Sequence, residues 1–138
     1  MHDSIPWQPL LRESLAILAL PAEEQVCVNG PGCVSCDLTE DFMHARAVAI
    51  EHAPNLSGPQ RQILDTIEGV FNSMQEADDA CFDEDAICRP NWQRVRELAA
   101  EALRLFGWEG TVVPPFVEIK PGVWQRPPLR GESEFEAR

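Results

Sequence analysis

The strongest folding constraint in the chain is a stripe of large apolar side chains following Ser57-Gly58-Pro59-Gln60. Ile63, Leu64, Ile67, Val70, Phe71 and Met74 recur at i, i+1, i+4, i+7, i+8 and i+11, the period of a helix with one face in a core. Ser57 offers an N-cap, Pro59 suits the first turn, and Gln60 stands where it can reach back in a capping box. A helix so defined needs partners to cover its stripe, and three further segments supply candidates. One opens around Pro9, is apolar nearly all round in its second half, and stops before Pro21. Another starts at Asp37-Leu38-Thr39-Glu40, turns Phe42, Ala45, Ala49, Ile50 and Ala53 inward, and is halted by Pro54. The last is capped by Asn91, carries Trp92, Val95, Leu98, Ala99, Ala102, Leu103 and Phe106 on one face, and ends at Gly107.

The fold expected is therefore mainly α: a four-helix bundle-like domain over residues 1–107. Residues 108–138 hold five prolines and read as an extended, proline-rich C-terminal arm packed on the domain or on a neighbour. Short apolar runs at Thr111-Val112-Val113 and Phe116-Val117-Glu118-Ile119 allow one or two short strands within it. A length of 138 residues fits one core that needs no disulfide or metal to form.

Charge narrows the classes of partner. Eleven basic residues oppose 23 acidic ones, a net charge of −12. That balance argues against direct nucleic-acid binding, which requires a basic face. The apolar run from Ser14 to Ala22 is too short to span a bilayer and is preceded by Asp3 and Glu13, unlike an export signal. Five cysteines, an odd number without such a signal, favour reduced thiols and a cytoplasmic location.

Half of the net charge falls in ten residues. Glu76, Asp78, Asp79, Asp83, Glu84 and Asp85 stand together, with Phe82 among them and no basic residue before Arg89. Such a segment reads as a recognition patch that steers a basic protein partner and anchors it on an aromatic side chain. Equally, it reads as a solvated loop that keeps the chain soluble. It lacks the central glycine and the alternating spacing of a calcium loop.

The cysteines offer a second chemistry. Cys33-Val34-Ser35-Cys36 has knuckle spacing and closes one unusual connection, Val26 to Cys36, while Cys81 and Cys88 lie in the other, Ala77 to Pro90. If the two connections meet, Cys33, Cys36, Cys81 and Cys88 form a four-thiolate zinc site; otherwise they are buried, unreactive thiols. A redox dithiol at Cys33 and Cys36 is a further alternative, although the strand before it is missing. His44 and His52, eight positions apart, do not share a face and read as surface groups, His44 pairing with Glu40 and Glu51.

Positive signs of catalysis are absent. Asp65 with Glu68, and Glu76 with Asp79, have the spacing of magnesium-binding carboxylate pairs in helical nucleotide hydrolases. They lie on one continuous segment and cannot face each other, while Glu97 and Glu101 read as an outward pair flanked by Arg94 and Arg104. No nucleophile elbow, phosphate loop or zinc-protease motif occurs, so no catalytic residue and no cofactor is assigned, and a metal-dependent hydrolase is the remotest of the alternatives.

Leu10-Leu11-Arg12-Glu13-Ser14-Leu15 with Pro21-Ala22-Glu23-Glu24-Gln25-Val26, the start at Asp37-Leu38-Thr39-Glu40-Asp41-Phe42, and Glu97-Leu98-Ala99-Ala100-Glu101-Ala102-Leu103 share a texture. Together they resemble a group of small, acidic, helical bacterial proteins, some of them regarded as immunity proteins paired with polymorphic or contact-dependent toxins. The resemblance spans about residues 8–108. It implies binding to a basic toxin, whose active site carboxylates would block, and it transfers no individual binding residue.

Overall fold

A computed structural model describes residues 6–129. It is mainly helical, with five α-helices: α1 (Trp7–Leu18), α2 (Ala22–Asn29), α3 (Val34–His52), α4 (Gly58–Asn72) and α5 (Pro90–Phe106). Two short 3-10 helices, Glu76–Asp79 and Glu84–Cys88, bridge α4 and α5. An antiparallel hairpin follows, β1 (Val117–Lys120) and β2 (Val123–Gln125), with Glu118 opposite Trp124 and a bulge before Lys120.

The α4 start conforms to its sequence. Ser57 Oγ accepts from the Gln60 N–H at 3.1 Å, and Gln60 Oε1 accepts from the Ser57 N–H at 3.0 Å. Gly107 ends α5 in the left-handed region at φ 74°, a conformation a Cβ would penalise. Elsewhere the helix boundaries depart from expectation. α3 begins at Val34 with Cys33 as N-cap, so Asp37 lies inside the first turn and its carboxylate accepts from Asn29 Nδ2 at 3.0 Å instead of capping. α5 begins at Pro90 with Arg89 as N-cap, and Asn91 turns its amide to Asp78.

α2 takes up part of what the sequence pattern left as a connection, so the described residues hold five α-helices rather than the four expected. Pro21 precedes it and Glu23 and Glu24 occupy its first turn, where carboxylates complement the helix dipole. Its buried members are Gln25 and Val28. Gln25 Nε2 donates to the carbonyls of Ile17 at 3.1 Å and Leu18 at 3.0 Å, satisfying acceptors that the end of α1 leaves open. Its Oε1 accepts from Arg96 Nη1 at 3.1 Å, so a buried guanidinium on α5 is tied to α1 through α2.

The core is continuous. α1 packs on α3 and α5, while α4 packs chiefly on α5. Leu11, Leu15, Phe42, Leu64, Ile67, Trp92 and Val95 are fully enclosed. Phe42, Phe71 and Trp92 join α3, α4 and α5, Phe42 tilted against Phe71 with ring centroids 5.7 Å apart and Phe71 T-shaped to Trp92 at 5.4 Å. A second aromatic group at the end of α5 stacks Phe106 on Trp108 at 4.7 Å, with Trp7 against both. Beyond α5, Val113 is buried in the same core, and Thr111 Oγ1 accepts from Arg12 Nε at 2.9 Å. Arg126 lies 3.0 Å from Glu13 and 4.3 Å over the Phe116 ring. These contacts join the hairpin region to α1, whereas the strands themselves are exposed. Residues 130–138, the end of the expected arm, lie outside the described residues.

Candidate functional site: a three-cysteine cluster

The two unusual connections meet. Gly30-Pro31-Gly32 turns the chain from α2 into α3, with Gly32 at φ 129°. A Cβ there would sit 2.7 Å from the Asp37 carboxylate, so this turn requires glycine. It places Cys33 at the N-cap of α3 and Cys36 one turn further on the same face. Their sulfurs are 3.0 Å apart.

Cys81 enters from the opposite side, in the turn between the two 3-10 helices. Its sulfur is 3.4 Å from that of Cys36. The three sulfurs all lie within 4.8 Å of one another, and they form the sole such grouping of potential metal ligands among the described residues. Two further contacts fix the approach. Phe82 adopts φ 59° and its N–H donates to Cys33 Sγ at 3.0 Å, while Ser35 Oγ donates to the Ala80 carbonyl at 3.4 Å.

The turn is pinned at its base by Asp78. This carboxylate accepts from the Gln75 N–H at 2.9 Å, Arg89 Nε at 2.8 Å and Asn91 Nδ2 at 3.0 Å. The Asp78 carbonyl accepts from Trp92 Nε1 at 2.7 Å, so the core indole of α5 holds the same residue. Asp78 is 2% exposed. Of the six carboxylates in the expected recognition patch it is the one the fold buries, and it braces the loop. Glu76, Asp79, Asp83, Glu84 and Asp85 are all exposed, and Phe82 stands 76% exposed among them.

Cys88 does not join the expected four-cysteine set. The 3-10 helix Glu84–Cys88 buries Ala86 and Ile87 and carries Cys88 to another face, in a cleft lined by Ala19, Ala22, Gln93 and Arg96. Cys27 is exposed on α2.

Electrostatics distinguish Cys33 from Cys36. Burial raises the Cys33 pKa, but its hydrogen bonds with the Cys36 and Ser35 side chains and with the Phe82 and Cys36 N–H groups outweigh it and bring it down to about 7. Cys36 is pushed up to about 12, first by its hydrogen bond to Cys33, then by Cys81 and by burial. Of this pair Cys33 is the sulfur that ionises more readily, at the start of α3 where the helix dipole favours a thiolate, with the Cys36 thiol beside it.

Chemically, three convergent sulfurs suit a single thiophilic ion. Tetrahedral zinc with Zn–S near 2.3 Å sets its sulfurs about 3.8 Å apart. The 3.0 Å between Cys33 and Cys36 and the 3.4 Å between Cys36 and Cys81 need each open by only a fraction of an ångström, the first by side-chain rotation on α3 and the second at the exposed Cys81 turn. The Phe82 N–H to Cys33 supplies the outer hydrogen bond that orients and tunes a ligating sulfur.

The carboxylates considered for catalysis are otherwise engaged. Asp65 and Glu68 contact Arg46 at 2.7 and 3.3 Å, and Glu97 and Glu101 are exposed on α5. Among the described residues His44 makes no ion pair, and His52 lies 3.9 Å from Glu51. No described helix is long and apolar enough to cross a membrane. No family model matches the chain, and comparisons with curated proteins and with solved structures return no match.

The CxxC spacing marked two of the three sulfurs in advance. The third was indistinguishable from Cys88, because only the long-range meeting of the connections separates them. The bracing role of Asp78 had no local signal in a run of six carboxylates.

Proposed function

We propose that the chain is a small helical metal-binding domain in which Cys33, Cys36 and Cys81 hold one zinc ion with a structural or regulatory role. The observation that supports it is the convergence of sulfurs 45 residues apart, 3.4 Å between Cys36 and Cys81, with the Phe82 N–H turned onto Cys33. A bound ion would cross-link the start of α3 to the loop ahead of α5 and fix the loop in its folded arrangement. Thermal unfolding with and without a strong chelator tests this. A chelator lowers the wild-type Tm and leaves Cys81→Ser unchanged; equal Tm values for wild-type protein with and without chelator oppose it.

A second reading concerns what that loop presents. Phe82 projects from a ring of exposed carboxylates, the arrangement of an aromatic anchor within a steering field. It supports a binding module for a basic protein partner, of the immunity-inhibitor type that the helical texture resembles. Co-purification with a basic toxin-like product of an adjacent reading frame tests it. Association that is unaffected by salt and by Phe82→Ala opposes it.

A further inference from the structure

We infer that an ion held by Cys33, Cys36 and Cys81 keeps a fourth coordination position open to solvent, and that this position takes a neutral imidazole in preference to an anionic ligand. The inference rests on the metal-binding reading and specifies the ligand chemistry of that same site.

Three protein ligands leave a four-coordinate ion one vacancy, the arrangement of zinc sites that exchange a ligand rather than closed structural ones. Among the described residues no histidine, carboxylate or further cysteine brings a ligand atom into the 4.8 Å group. Cys88, the natural fourth thiolate by sequence, is directed to the cleft beside Arg96. The vacancy faces outward, since Cys81 and Phe82 are exposed and Cys36 is half-buried, while Cys33 is buried on the protein side.

Charge then selects the ligand. Three thiolates on a divalent cation leave the centre at −1. The same loop carries exposed Asp79, Asp83, Glu84 and Asp85, and the nearest arginine in sequence, Arg89, is paired with Asp78 at 2.8 Å. A fourth thiolate or a carboxylate would add charge against this field, whereas imidazole adds none and is a good zinc ligand. The surroundings thus favour a neutral nitrogen donor such as the histidine side chain of a peptide.

Cobalt(II) reports both parts of the inference. The purified full chain is loaded with one equivalent and titrated separately with imidazole and with glutathione. Imidazole is expected to shift the d–d bands saturably while the sulfur-to-cobalt charge-transfer intensity stays at the three-thiolate level; glutathione at equal concentration leaves both unchanged. Cys88→Ser is expected to give the wild-type spectrum. Three outcomes overturn the inference and leave the metal-binding reading standing: d–d bands indifferent to imidazole, charge-transfer intensity that grows with glutathione, or intensity lost in Cys88→Ser. Absence of any charge-transfer band in wild-type protein overturns the metal-binding reading itself, so the two failures are distinguishable.

Discussion

The backbone N–H of Phe82 donates to the sulfur of Cys33 at 3.0 Å across 49 residues of sequence. This bond joins the acidic loop ahead of α5 to the first turn of α3. Phe82 itself adopts a left-handed φ of 59°, uncommon for a bulky residue, and its ring is exposed to solvent. A charged surface and a thiol cluster, separate features in the sequence, thus meet where the acidic loop packs on α3.

The loop depends on Asp78. Asp78→Ala removes an ion pair and leaves the Gln75 N–H, Arg89 and Asn91 donors without their acceptor, and is expected to cost about 2–4 kcal/mol in urea unfolding. Control substitutions at exposed Asp83 or Asp85 to Asn are expected to stay within about 0.5 kcal/mol.

Acid should reveal the same group. Hydrogen bonding from the Gln75 backbone, then from Asn91 and Arg89, holds the Asp78 carboxyl below the usual carboxylate range despite its burial. Its contribution is therefore fully present above the unfolded value of about 3.9 and is lost as pH falls through the lower folded value. The stability difference between wild type and Asp78→Asn, measured by urea unfolding, is expected to be constant near neutrality and to shrink below about pH 4. A difference that widens on acidification contradicts this assignment.

Gln25 tests the junction of α1, α2 and α5. Gln25→Leu keeps the volume but uncaps the Ile17 and Leu18 carbonyls and strips a partner from buried Arg96, with an expected loss of about 2–4 kcal/mol. Arg96 then keeps only its Nε bond to Gln93, so part of the loss comes from the unpaired Nη1, and Gln25→Leu combined with Arg96→Met is expected to cost less than the two single losses added. Simple additivity in this double-mutant cycle would place the two side chains in independent roles.

Helix starts and faces were legible where local chemistry decides them. The Ser57–Gln60 capping box and the Gly107 stop needed no information beyond a few neighbouring residues. α2 was missed because its buried face is built on Gln25, a polar side chain whose partners lie on α1 and α5 rather than on an apolar stripe. The Asn91 cap failed for a related reason: Asp78, thirteen residues away, competes for its amide. The cluster was half legible, since CxxC spacing is local, whereas the choice of Cys81 over Cys88 depends on the 3-10 turn that buries Ala86 and Ile87.

Gly32 links loop geometry to the sulfurs. Gly32→Ala places a methyl 2.7 Å from the Asp37 carboxylate at a φ that L-residues avoid, so the turn into Cys33 must shift. The expected result is a loss of more than about 1 kcal/mol in stability and at least tenfold weaker cobalt binding. Gly58→Ala, which meets open space at the start of α4, is the control expected to alter neither by as much.

The metal content of the full chain tests the central claim most directly, by native mass spectrometry on protein purified without added metal. One zinc ion per chain is predicted for wild type and for Cys88→Ser, with loss of that ion in Cys33→Ser and Cys81→Ser. A wild-type chain that carries no zinc and keeps its fold in chelator would contradict the account.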